Sequence, residues 1–370
     1  MGTMERIRWS LPLSTRHPAG HGGPLFDLTV DEAVVVDAEV VPGRLHRGAE
    51  KLFESRDYRA VLALANRHDW LGSFGSELSL AQLLEASLGI AVPARAAWLR
   101  TLLAEATRIS HHLLWLAASA EEFIAPGAGR VGLAARRDVV DRLEEYTGVR
   151  MHPTVVRIGG LRADCEASWP AAMVSSTADA VQIAADLAAD LTDPAAGMVG
   201  LAVLTPEDAW DFATSGPVAR ASGVALDLRL DRPDECYGAL ADAGQLTAVV
   251  RGDGDPATRF EVLAAQVAVS AACVQGCAQQ LAELTGPVQV PLPRSIRVPE
   301  GTAYHAGENP GGINGWLLVS RGGPMPYRLK LRTSSYNNAA ALAAALPGTE
   351  LASLPAAVSS FFLLAGDIDK

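Results

Sequence analysis

The sequence predicts an α+β fold: a helical-bundle core with small β elements at its N- and C-terminal ends. Three observations carry that expectation. Residues 25–41 alternate and are rich in β-branched side chains; residues 48–284 follow helical periodicity; residues 302–332 return to short β-like runs separated by Gly-rich turns. Strands and helices are segregated along the chain, which argues against a parallel sheet built from βαβ units.

Taken in order, 25–41 reads as two strands joined around Asp31-Glu32. Helices follow near 48–66, 77–88 and 94–123, with Pro93 at the first turn of the longest. Another spans about 133–146 and stops at Gly148, and the Ala-rich run 168–191 reads as one long helix between Pro170 and Asp193-Pro194. The Gly-, Pro- and Asp-rich segment 229–256 reads as irregular and exposed. A helix over 258–284, a proline-rich connector, the strands of 302–332 and two Ala/Leu-rich helical segments complete the chain. The expected organisation is a β region with a His/Gly/Pro loop over 1–46, a helical core over 47–300 and a β-plus-helix tail over 301–370, all in one composite domain.

Apolar residues make up 49% and charged residues 20% of the chain, a composition that fills a core. The net charge of −11 argues against nucleic acid as the main partner, because phosphate neutralisation needs clustered Lys and Arg. Residues 1–13 carry Glu5, Arg6 and Arg8 and lack the apolar run of a secretory signal. The segment 262–277 is interrupted by Gln266 and Gln275 and is expected to fall short of a bilayer span, so a cytoplasmic chain that does not itself cross a membrane is expected. Of the four cysteines only Cys273 and Cys277 are close, at i, i+4, and no Cys-x-x-Cys occurs. Buried structural thiols are therefore expected, and no metal or iron–sulfur cluster held by this chain itself.

Five polar clusters could carry chemistry. They are His17-Pro18-Ala19-Gly20-His21-Gly22-Gly23, Leu45-His46-Arg47-Gly48-Ala49-Glu50-Lys51, Asn66-Arg67-His68-Asp69-Trp70, the helix 105–122 with Arg108, His111, His112 and Glu122, and Arg150-Met151-His152-Pro153. Taken alone, the first reads as a surface turn and the second as a solvated helix start; polar groups in so apolar a helix need partners. No phosphate-binding loop, dinucleotide fingerprint, HExxH or GxSxG is present, so no nucleotide site can be placed on this chain.

Together and in register, the pieces resemble one family. HPxxHG, LHRGxEK, LGIxVPxRAxxLRxLxAExxRIxxHLLWL, GxRMHPxxxRxGG, SGPxxRASGVxxDLR with RPxExY, then ExPxG and PYRxKxR all look like the D subunit of NADH:quinone oxidoreductase (respiratory complex I), from about Ser14 to Lys370. The resemblance implies the fold of nickel–iron hydrogenase large subunits, whose metal-binding Cys-x-x-Cys pairs are missing here, which excludes a hydrogenase active site. It also implies a quinone head group between this chain and a small cluster-binding partner, other peripheral-arm and membrane-arm partners, and a peripheral place on the cytoplasmic side of the membrane. NADH would be used by the whole complex, on another chain. By the same resemblance His21 bonds a quinone carbonyl and Glu122 orients His21, while Arg47, Arg67 and His152 face the partner's iron–sulfur cluster. These three, together with His111, are expected to meet a partner.

Trp70 stands where the family has its second quinone ligand, a tyrosine; an indole N–H donates a hydrogen bond but is no phenolic acid. Arg16, Ser76, Ile313 and Lys370 also depart from the family pattern. The alternative is a non-catalytic structural paralogue in a diverged complex I-like or hydrogenase-like assembly.

Overall fold

The computed structural model describes residues 4–370; of the expected N-terminal region, residues 1–3 lie outside the described residues. Three antiparallel strands come first: β1 (Glu5–Ser10), β2 (Leu25–Asp31) and β3 (Val34–Val41), in that order across the sheet. The alternation in 25–41 buries Phe26, Leu28 and Val30 on one face, and Ile7 and Trp9 of β1 pair with Leu28 and Phe26. β1 was not expected, although its Arg6-Ile7-Arg8-Trp9 run has the same period of two.

Two helices, not one, occupy the expected 48–66 span: α1 (Ala49–Phe53) and α2 (Tyr58–Ala65). Asp57 breaks the run by capping α2, accepting from Arg59 and Ala60 N–H at 3.0 Å. α3 (Ser73–Leu88), α4 (Ala94–Phe123) and α5 (Arg130–Thr147) follow, then a minimal ribbon of β4 (Val156–Arg157) and β5 (Gly160–Leu161). The long helix expected over 168–191 is likewise split, into α6 (Trp169–Thr177) and α7 (Ala180–Thr192). Ser175, Ser176 and Thr177 turn their hydroxyls back onto the carbonyls of Ala171, Ala172 and Val174, which weakens the helix at that point.

The segment expected to be irregular holds short helices: after α8 (Pro206–Asp211) and α9 (Gly216–Ala221) come α10 (Leu228–Asp231) and α11 (Tyr237–Asp242). α12 (Pro256–Glu283) is next, then the antiparallel sheet β6 (Gly301–Asn309), β7 (Gly312–Ser320) and β8 (Arg328–Arg332). α13 (Ser334–Ala345), α14 (Leu354–Ser359) and the single turn α15 (Ala365–Ile368) close the chain against the N-terminal sheet, where Val35 N–H donates to Thr349 O at 2.9 Å.

Contrary to expectation, α12 at 28 residues is long and apolar enough to cross a bilayer; here it packs inside the protein against α4 and α7. α4 and α12 form the axis of the bundle. From Leu99 to Ala120 every residue of α4 except Ala104 is buried, so its polar side chains must find partners inside. They do. Glu105 accepts from Ser270 (2.6 Å), Tyr237 (2.7 Å) and Arg229 (3.0 Å), with Arg108 at 3.3 Å. Arg229 also chelates Asp227, and Arg220 reaches Glu308 at 2.8 Å. Three arginines and three carboxylates are thus gathered without net charge. Burial alone would raise the Glu105 pKa, but Arg108, Arg229 and the two hydroxyl donors outweigh it and bring it down to about 2.

Candidate functional site at the His21–Trp70 pair

The His17-to-Gly23 loop is anchored at one end and free at the other. His17 is buried: its Nδ1 accepts from Ala19 N–H (3.2 Å), so Nε2 carries the proton toward Ser119 Oγ on α4 (3.3 Å). Burial lowers its pKa to about 3, so this ring is a neutral structural peg. Pro18–Gly20 makes one tight turn, and His21 follows with its ring exposed, edge-on to Trp70 at 5.4 Å between centroids. The two residues expected to share a ligand therefore meet, although 49 positions separate them.

Trp70 is held from behind. Asp69, next to it, turns the chain into α3 by accepting from Leu71 (3.0 Å) and Gly72 (2.6 Å) N–H. Burial and the nearby Asp367 raise the Asp69 pKa to about 6. His68 Nδ1 donates to Asp367 at 2.6 Å, with both side chains buried. Burial would raise the Asp367 pKa; the His68 bond outweighs it and the net shift is down.

Arg47, Arg67 and His152 come together around the same segment. Arg47 donates to the Arg67 carbonyl (3.3 Å) and His152 Nδ1 to the Asn66 carbonyl (3.0 Å). His152 holds a left-handed backbone (φ 54°), which costs a β-carbon-bearing residue about 1–3 kcal/mol and marks a position fixed by its surroundings. Half-burial, then Arg67 and Arg47, depress its pKa. The chain is acidic overall, yet this face gathers three nitrogen-bearing side chains.

Two expectations are corrected. Glu122 sits exposed on the last turn of α4 and, among the described residues, makes no hydrogen bond with His21. The loop is oriented through His17 and Ser119 instead, one turn earlier on α4. His111 does not face a partner: it is buried, 3.1 Å from His112, and burial with Arg108 lowers its pKa to about 3. Sequence reasoning also missed the grip of Asp367 and Asp369 on the segments flanking the pair, whose only signal was the position of the aspartates at the end of the matched motifs.

Glu77 lies beneath this face, lining a cavity of about 220 Å³ with Arg59, Arg157 and Gln289. It accepts from Asn66 Nδ2 (2.5 Å) and has no ion-pair partner among the described residues, and burial raises its pKa to about 8. An unfolded chain loses that proton near the ordinary glutamate value, so the contribution of Glu77 to folding stability falls as pH rises from about 4.5 to 8. Glu77→Gln keeps the size and the polar contact; its thermal midpoint relative to wild type should rise across that window, and an unchanged difference would mean Glu77 is ionised in the folded state.

No metal centre is apparent in the donor set. Cys165, Cys236 and Cys273 are pushed up by burial to about 11, 12 and 12, and no group of three His, Cys, Asp or Glu side chains is placed to hold an ion among the described residues.

Residues 129–295 and 290–370 match the family described as respiratory-chain NADH dehydrogenase, 49 Kd subunit. The chain is 45% identical to the first of the D subunits of the NADH-quinone oxidoreductases of Streptomyces coelicolor, covering 100% of this chain and 97% of that protein. It is 43% identical to the second D subunit of Salinispora arenicola (97% and 93% covered) and 32% identical to the D subunit of Carboxydothermus hydrogenoformans (97% and 98%). On this full-length similarity and the matched profile, the chain belongs to the family of the 49 kDa, or D, subunit of respiratory-chain NADH dehydrogenases.

Proposed function

We propose that this chain is the subunit of an NADH:quinone oxidoreductase that presents the His21–Trp70 pair to a quinone head group. The meeting of these two rings at an exposed loop is the observation that carries the reading. Reduction of a quinone to a quinol takes two electrons and two protons. The electrons come from an iron–sulfur cluster in a small partner subunit, against which the Arg47, Arg67 and His152 face is set; this chain has no thiolate set to hold one. NADH is oxidised on another chain of the complex, which sits at the membrane through other subunits.

The residues divide the remaining work. His21 is exposed, so its imidazole can donate a hydrogen bond to a carbonyl oxygen as negative charge builds there, then pass a proton. Trp70 contributes one N–H on a rigid ring and cannot supply a proton. Cationic and N–H groups at the partner face favour the more negative, reduced state of a nearby cluster. With Glu122 unbonded to His21, proton resupply to that imidazole comes from solvent at the open side of the loop.

Trp70 also favours a second reading, in which the indole fills the head-group end and the subunit is structural. Trp70→Tyr in the assembled complex separates the two. A gain in quinone reduction means an open but suboptimal pocket. No activity in either form, with the partner's cluster present and reducible, rules out the catalytic reading.

A further inference from the structure

The last turn of the chain bonds to the segments that flank both halves of the pair. Asp369 is 7% exposed and accepts two short bonds from the segment 43–46, Gly43 N–H at 2.6 Å and Leu45 N–H at 2.7 Å. His46 Nδ1 reaches the Asp369 carbonyl at 2.9 Å. That strap presses on the His21 loop: Arg44 donates to Gly23 O (3.2 Å), and a β-carbon at Gly22 would stand 2.6 Å from Leu45 Cδ1. Gly22 is at φ +70°, a left-handed backbone that favours glycine, and its lack of a side chain lets Leu45 lie against the loop.

Two residues earlier, Asp367 holds His68, which lies within the segment that carries Trp70. The Ser335 N–H donates to the other Asp367 oxygen at 2.9 Å, so the carboxylate is fixed on both sides. Between the two aspartates and the core, Gly366 lets the backbones close up, since a β-carbon there would lie 2.9 Å from the His68 carbonyl. One arm of this turn therefore leads through the strap to Gly22 and Gly23, next to His21, and the other to His68, two residues before Trp70.

We propose that residues 365–369 act as a two-armed clamp that sets the spacing of His21 and Trp70, with Asp367 and Asp369 as positioning residues for the quinone head group. The proposal rests on the quinone-site reading. Asp369 forms no contact with a head group; it acts through the strap, and its effect must vanish when there is no His21 imidazole to place. Asp369→Asn turns one acceptor oxygen into an amide that faces a backbone N–H, donor against donor, and releases one end of the strap.

The test is a double-mutant cycle in the assembled complex with a water-soluble short-chain quinone. Asp369→Asn should raise KM for the quinone about tenfold while kcat changes less than about threefold, as expected for misplacement without loss of the reacting group. In a His21→Ala background the same substitution should move KM by less than about twofold, because residues acting through one another are not additive. Equal effects in both backgrounds, or no effect in either, overturn the clamp. If His21→Ala leaves activity unchanged, the quinone-site reading falls and the clamp falls with it; if His21→Ala abolishes turnover while Asp369→Asn is silent, only the clamp is wrong. Should Asp369→Asn fail to assemble, Leu45→Ala takes its place, since Leu45 is 41% exposed and its loss spares the fold. It should give the same rise in KM, and an unchanged KM overturns the proposal.

Discussion

His21→Ala should lower quinone reduction by the assembled complex by one or more decades, within the roughly 10²–10⁴-fold range of residues that donate or accept a proton in the reaction. The expectation rests on two features acting together. The His21 ring is exposed beside Trp70, and nothing in the core depends on it. The substitution should therefore leave the yield of complex and its thermal midpoint within error of wild type, since surface changes usually move stability by less than about 0.5 kcal/mol. Steady-state turnover with saturating NADH reads the effect, and cluster reduction by NADH serves as the internal control. Unchanged turnover in an intact complex would place the reacting group elsewhere.

Glu105→Ala should have the largest effect on folding. The carboxylate is fully buried and is the common acceptor for Arg108, Arg229, Tyr237 and Ser270. Removing it leaves the Tyr237 and Ser270 hydroxyls without their acceptor. It also takes the carboxylate from Arg108, which keeps only the Asn309 and Glu308 carbonyls, and one of two carboxylates from Arg229, which keeps Asp227. Loss of one member of a buried ionic group costs about 3–5 kcal/mol. That is a large part of the stability of an ordinary domain. A fall in the thermal unfolding midpoint or in recovered complex would show it. Because Glu105 is held near pKa 2, its contribution is present above the ordinary carboxylate range and is lost as pH falls toward 2; the gap between wild type and variant should narrow over the same interval. A gap that is small at neutral pH would mean the arginines find other partners.

The sequence made the α+β architecture legible because its strongest signals are local. The hydrogenase-large-subunit-like fold implied by the motifs is the fold of the family to which the chain belongs. α4 was legible to the residue, since Pro93 and an unbroken 30-residue run define both ends. The splits at Asp57 and at Ser175–Thr177 were not, because capping and hydroxyl back-bonding compete with periodicity at single positions. His111 shows a different limit. A polar residue in an apolar helix signals that a partner exists, but not whether that partner is inside the same chain or outside it. Of the proposed site, the proximity of His21 to Trp70, and of Arg47 and His152 to the 66–67 backbone, followed the motif series, whereas the grip of Asp367 and Asp369 is a product of tertiary closure with no local pattern.

That closure has a kinetic side. The bonds from Gly43 and Leu45 to Asp369 span 326 and 324 residues, and the His68–Asp367 bond spans 299. Contacts of such separation are late and entropically expensive to form, since the intervening chain must first be ordered by its own local structure. The bundle can therefore condense while residues 43–46 and 66–70 still fluctuate, and the His21–Trp70 geometry is completed only when the two distant ends dock. The same hierarchy runs backward on the native side: the Gly43 and Leu45 amides will exchange with solvent through small openings that leave α4 and α12 untouched, so the pair can loosen and re-form without the protein unfolding.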